Sequence, residues 1–199
     1  MHQLKKHYPT ASAIAISDGT HNPEFDSLCQ QLGITYKRDR RLKLPQHGGL
    51  WTLRLFEAFL TLSDADILIK LDPDTMLWRG FSFYPDSDWF GTISPAYRHP
   101  FARGGCVGFK RHAVERIVNS EILLNPVFTK PRYSYDRYGK HKHSHECHST
   151  ERLSLQDWIL ADVGYYLDLS LEPWSEVDIQ FRDTPDNGDL RYAATHPHV

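Results

Sequence analysis

The sequence predicts an α/β fold, one domain over residues 1–199 with a mostly parallel sheet and helices on both of its faces. Two observations predict it. Within the first 75 residues short aliphatic runs alternate with amphipathic stretches in the order β-α-β-α-β, and that order calls for right-handed crossovers that lay the strands side by side in parallel. A length of 199 residues, 40% of them hydrophobic and 13% aromatic, suffices for one well-buried core and falls short of two ordinary domains.

The elements follow in order. Ala13-Ile14-Ala15-Ile16-Ser17 reads as a short buried strand that ends in the turn cluster Asp18-Gly19-Thr20. A helix starts after Asn22, a good N-cap with Pro23 at the first helical position; Phe25, Leu28, Cys29 and Leu32 recur at helical spacing, and Gly33 stops it. Ile34-Thr35-Tyr36 gives the second strand, and the segment from Lys37 to Gly49 a loop. From about Leu50 to Leu62, Trp51, Leu55, Ala58, Phe59 and Leu62 share one helical face, while Leu53, Phe56 and Leu60 make much of the remainder apolar. This helix is expected to be buried on two sides. Ile67 to Leu71 is the third strand and Trp89 to Ile93 a fourth; a helix from Arg111 turns Val114, Ile117 and Val118 inward. Residues 125–150 are aromatic, basic and His-rich without periodicity, which predicts a long loop. A helix from Leu155 to about Leu167 and a strand from Val177 to Phe181 complete the domain.

The third strand carries the most chemistry. It ends in Asp72-Pro73-Asp74-Thr75, and the C-terminal end of a strand is where an open α/β sheet places its ligands. Two carboxylates one residue apart concentrate negative potential and suit a hard divalent cation with oxygen ligands, Mg²⁺ or Mn²⁺. A second reading stays open, because Asp-Pro-Asp-Thr is also a good turn in which Pro presets φ and the Asp side chains bond nearby amides.

Taken together, Ser17-Asp18-Gly19, Asp72-Pro73-Asp74, Arg103-Gly104-Gly105, Gln156-Asp157 and Thr195-His196-Pro197 resemble, in kind and in order, the motifs of nucleotide-sugar-dependent glycosyltransferases of the GT-A fold, and they span nearly the whole chain. The resemblance implies a Rossmann-like domain that moves a sugar from a nucleotide-diphosphate donor, a UDP-sugar, to an acceptor: a glycan, a lipid-linked glycan or a small molecule. It implies that Asp74 binds the metal and that Asp72 reaches the metal or the donor ribose, with His196 a third metal ligand and Mn²⁺ or Mg²⁺ the cofactor. The metal would stabilise the diphosphate leaving group. Asp18 then meets the nucleobase imide, and Arg103, Gly104 and Gly105 let the donor approach the backbone, with Arg103 available to phosphate. Asp157 becomes the base that deprotonates the acceptor hydroxyl. Each residue has a structural reading as well. Asp18 fits an Asx turn, Arg103 to Gly105 a tight turn or bulge, Asp157 the capping pattern Ser154-Leu155-Gln156-Asp157, and His196 a polar tail.

Against the family pattern, Ser17-Asp18-Gly19 aligns with its second strand unit, so the usual first βα unit is expected to be missing. A glycosyltransferase-like domain that only binds nucleotide or carbohydrate is the alternative this raises. The cluster His141-Lys142-His143-Ser144-His145-Glu146-Cys147-His148 supplies imidazole and thiolate ligands for Zn²⁺, Ni²⁺ or Cu²⁺ at a spacing that fits no closed zinc pattern; a solvated loop is the stronger reading, and a His-rich metal-binding protein the lesser alternative. Net charge is -2 with Lys and Arg spread along the chain, which gives no general attraction to nucleic acid or an anionic membrane. Three cysteines at unrelated spacings form no disulfide framework and fit a reducing, cytoplasmic setting. No transmembrane segment or leader is expected.

Overall fold

A computed structural model describes residues 2–17, 22–38, 48–73, 75–95, 99–125, 156–180 and 194–197. These form a mixed α/β structure. Its helices are α1 (His2–His7), α2 (Pro23–Gln31), α3 (Gly48–Leu62), α4 (Arg111–Asn119) and α5 (Gln156–Tyr166). Its strands are β1 (Ile14–Ser17), β2 (Thr35–Arg38), β3 (Ile67–Leu71), β4 (Met76–Leu77), β5 (Trp89–Ser94), β6 (Phe101–Lys110), β7 (Leu171–Pro173), β8 (Val177–Gln180) and β9 (Ala194–Pro197). Among the described residues no helix is long and apolar enough to cross a membrane, and a helix, α1, is the only element before β1.

Local chemistry sets the ends of α2 as expected. Asn22 Oδ1 accepts from the Phe25 amide at 3.0 Å. At the other end the Ile34 amide bonds Cys29 and the Gly33 amide bonds Gln30, the two reversed bonds of a Schellman stop. Gly33 has a φ of 62°, a conformation that costs a residue with a Cβ and not a glycine.

β1 and β2 pair in parallel, Ile14 opposite Thr35, as the β-α-β order requires. The larger sheet has the order β3-β6-β5-β7. Here the expectation of a mostly parallel sheet is corrected, because β6 runs antiparallel to both β3 and β5, and only β5 with β7 is parallel. A single reversed strand is responsible. β3, β5 and β7 share one direction, and β6, joined to β5 by a connection too short for a crossover helix, returns between β5 and β3. A third sheet, β4-β9-β8, sets the C-terminal strand β9 between β4, antiparallel, and β8, parallel.

Alternation along the strands divides the interior into two cores. Leu68, Trp89, Val107 and Phe109 face helices α3, α4 and α5, where Phe56, Val114, Ile117 and Ile159 are buried against them. Ile69, Phe90 and Cys106 face the other way, onto Trp174, Leu77 and Leu4 of α1. Gly108 lies on this second face, and a Cβ there would sit 2.0 Å from the Phe90 ring, so the ring packs only because the side chain is absent. The buried face of α3 also differs from expectation: Leu53, Phe56 and Phe59 are buried, while Leu62, placed on the inward face from the sequence, is 41% exposed. The sheet takes one side of α3, with α4 and the turn at Ile122–Leu124 on its flank.

A carboxylate fixes the third sheet. Glu176 is buried beside β8 and pairs with Arg79 at 2.5 Å, just beyond β4. Its oxygens also accept from the Ser82 amide at 2.8 Å, the Ser82 hydroxyl at 2.9 Å and the Phe83 amide at 3.3 Å. Burial alone pushes this carboxyl up, but the Arg79, Ser82 and Phe83 donors outweigh it and hold the group below the usual carboxylate range. β4 and β8 are thereby tied together on the two sides of β9.

Candidate functional site

The site is built at the C-terminal end of β3. Asp72 leaves the strand opposite β6, its amide donating to the Gly105 carbonyl at 2.9 Å. The chain then turns, with the Thr75 amide bonded back to the Asp72 carbonyl at 3.0 Å, and the Thr75 hydroxyl donates to the same Gly105 carbonyl at 2.6 Å. A backbone turn from Asp72 to Thr75 is thus present, closed by main-chain atoms, and it leaves Asp72 at the rim of the sheet.

Gly105 can serve both donors because β6 bulges there. Gly91 of β5 stands opposite Val107 and Ile93 opposite Ala102, so the segment from Arg103 to Cys106 faces Thr92 alone. Arg103-Gly104-Gly105 is thus released from the β5 ladder while Cys106 keeps its register with Leu71. Its bulge reading holds, and the bulge brings this motif onto the Asp72 turn. Arg103 is half-buried.

Lys70 completes the rim. Residues i and i+2 of a strand share a face, and the Lys70 ammonium pairs with the Asp72 carboxylate at 2.5 Å, the lysine side chain 10% exposed and the aspartate 33%. Lys70 also lines a recess of about 10 Å³ with Gln156 and Asp157, over an apolar floor that includes Phe56, Val107 and Leu160. That volume is about one water-sized sphere. Asp157 stands in the first turn of α5, so the helix entrance and the end of β3 meet across this recess. On the opposite face of the sheet, burial pushes the Cys106 thiol far up against the opposing pull of Lys70, which leaves a neutral thiol rather than a thiolate ligand.

The C-terminal strand arrives at the same end. Thr195 of β9 is opposite Met76 and Ala194 opposite Leu77, so the backbone of His196 lies level with Thr75, next to the turn. His196 is a paired strand residue, opposite Ile179 of β8, and the tail reading is corrected: β8 pairs with it along a strand that β4 pairs at Ala194 and Thr195.

Of the residues expected from sequence, Asp72, Arg103, Gly105 and Asp157 and the backbone of Gly104 and His196 are brought to this end of the fold. Asp18 and Asp74 lie outside the described residues, as does the cluster His141 to His148. Among the described residues no three His, Cys, Asp or Glu side chains group to hold a metal. Cys29 and Cys106 are free, buried thiols. Lys70 was the residue missed; its signal was a lysine inside the aliphatic run Ile67–Leu71, in phase with Asp72. No protein-family model matches the chain, and no curated protein matches it.

Proposed function

We propose that this chain is a GT-A-like glycosyltransferase that moves a sugar from a nucleotide-diphosphate donor, a UDP-sugar, to an acceptor hydroxyl. The observation that carries the reading is convergence. Four motifs far apart in sequence meet at one strand end: the Asp72 turn, the Gly105 carbonyl that binds it, Asp157 across the recess, and the β9 backbone beside Thr75.

The donor set suits a hard divalent cation. Asp72 offers carboxylate oxygen at a third of full exposure, Asp74 follows two residues later in the sequence, and the backbone of β9 passes the turn at His196; two carboxylates with one imidazole suit Mn²⁺ or Mg²⁺. Asp72, Asp74 and His196 would hold the metal, which when bound supplies charge neutralisation for the diphosphate leaving group. On the protein side, the bulge at Arg103-Gly104-Gly105 opens backbone to the donor, and Asp18, after β1, meets the nucleobase. Asp157 lines the recess beside Lys70, and a carboxylate there is the group assigned to remove the acceptor proton. The free thiols support a reducing, cytoplasmic setting for the work.

Turnover tests this directly. The purified protein, given Mn²⁺ and a panel of UDP-sugars, is expected to release UDP, and Asp157→Asn to slow release by about 10²–10⁴-fold while UDP binding is retained. UDP binding with no release from any donor would instead assign a nucleotide-binding protein. An unchanged rate in Asp157→Asn removes that residue from the chemistry.

A further inference from the structure

We infer that Lys70 is a built-in counter-cation that competes with the divalent metal for Asp72, so that the metal binds weakly alone and tightly only with a diphosphate. This rests on the function proposed above. Its ground is the placement of one charge. The ammonium is held at 2.5 Å from Asp72 on a side chain only 10% exposed, in a recess whose floor is Leu55, Phe56, Val107, Phe109 and Leu160 and whose polar side is Gln156 and Asp157. A cation in such surroundings needs a carboxylate partner. Packing alone would be met by another aliphatic residue, as at Ile67, Leu68, Ile69 and Leu71 around it.

Two electrostatic consequences follow. Lys70 neutralises one of the carboxylates a metal would use, and it repels a dication approaching the same oxygens at short range. The same positive charge attracts a diphosphate, so the anion and the metal that it chelates arrive favourably together. Lys70 does this through Asp72 and the local field, and is a positioning residue rather than a group that reacts.

Titration of the full-length protein with Mn²⁺, followed by loss of the free-ion electron paramagnetic resonance signal, separates this from a structural role. Lys70→Met keeps the length of the side chain over the apolar floor and removes the ammonium from Asp72. It is expected to bind Mn²⁺ about tenfold more tightly than the wild type, the scale of removing one nearby like charge, and UDP should enhance its Mn²⁺ binding less. Lys70→Arg should stay near wild type. Lys70→Gln gives the same comparison with a polar side chain if the methionine variant folds poorly. Equal or weaker Mn²⁺ binding in both neutral variants overturns the inference. If wild type binds Mn²⁺ no better than Asp74→Ala, with or without UDP, the function proposed above fails as well, a result distinct from any change at Lys70.

Discussion

Two carboxylates anchor two corners of this molecule, and they are satisfied in opposite ways. Glu176, where β4 meets β8, is 6% exposed and takes four donors, from Arg79, Ser82 and Phe83. Asp72, at the end of β3, is 33% exposed and paired with Lys70. A carboxylate closed in by backbone amides and a guanidinium has its lone pairs committed to holding segments together. One at the rim of a sheet, paired with an ammonium and a third exposed, keeps a face toward solvent where a ligand can reach it. The first corner holds the scaffold of the second, because β4 and β8 flank the strand that brings His196 to the turn.

Stability measurements can break this contrast. Glu176→Ala should have the largest effect, about 3 kcal/mol in urea unfolding, at the low end for breaking a buried pair because Arg79 is 38% exposed. Asp72→Asn should cost less, about 1–2 kcal/mol, because it removes the carboxylate charge beside the nearly buried Lys70 ammonium while Asp72 itself is a third exposed. Equal losses would mean that Asp72 is a structural anchor like Glu176.

Acid sharpens the same point. The Asp88 carboxyl is raised by burial, but the Ser170 amide and hydroxyl and His112 outweigh that and hold it below its usual range, as the donors around Glu176 do for that residue. A depressed carboxylate stabilises the fold above its unfolded pKa, about 4, and the contribution fades as pH falls through the lower folded value. The urea midpoint should therefore drop below about pH 4, and the drop should shrink in Asp88→Asn and Glu176→Gln. An acid limb unchanged by either substitution would show that these clusters do not govern it.

Much of this was legible in the sequence where the signal is local. Asn22, Pro23 and Gly33 mark the ends of α2, and the inward Val114 and Ile117 of α4 follow from spacing alone. The reversed strand β6 was not, because Gly104, Gly105 and Gly108 dilute its strand propensity, and their purpose, bulging toward Asp72 and admitting the Phe90 ring, exists only in the folded sheet. The exposed Leu62 shows the same limit, since a helix apolar all round does not say which side the sheet will take. At the site, the Asp72 turn and Asp157 could be picked out from sequence; the phase of Lys70 with Asp72 marks only a shared face, since its role depends on a recess shared with a helix that begins 86 residues later.

The central claim is that the end of β3 binds a nucleotide diphosphate through a metal at Asp72 and Asp74. Calorimetry of UDP with and without Mn²⁺ tests it most directly. Binding should need Mn²⁺ in the wild type and should be lost in Asp74→Ala; UDP binding that is indifferent to Mn²⁺ and unchanged in Asp74→Ala would contradict it.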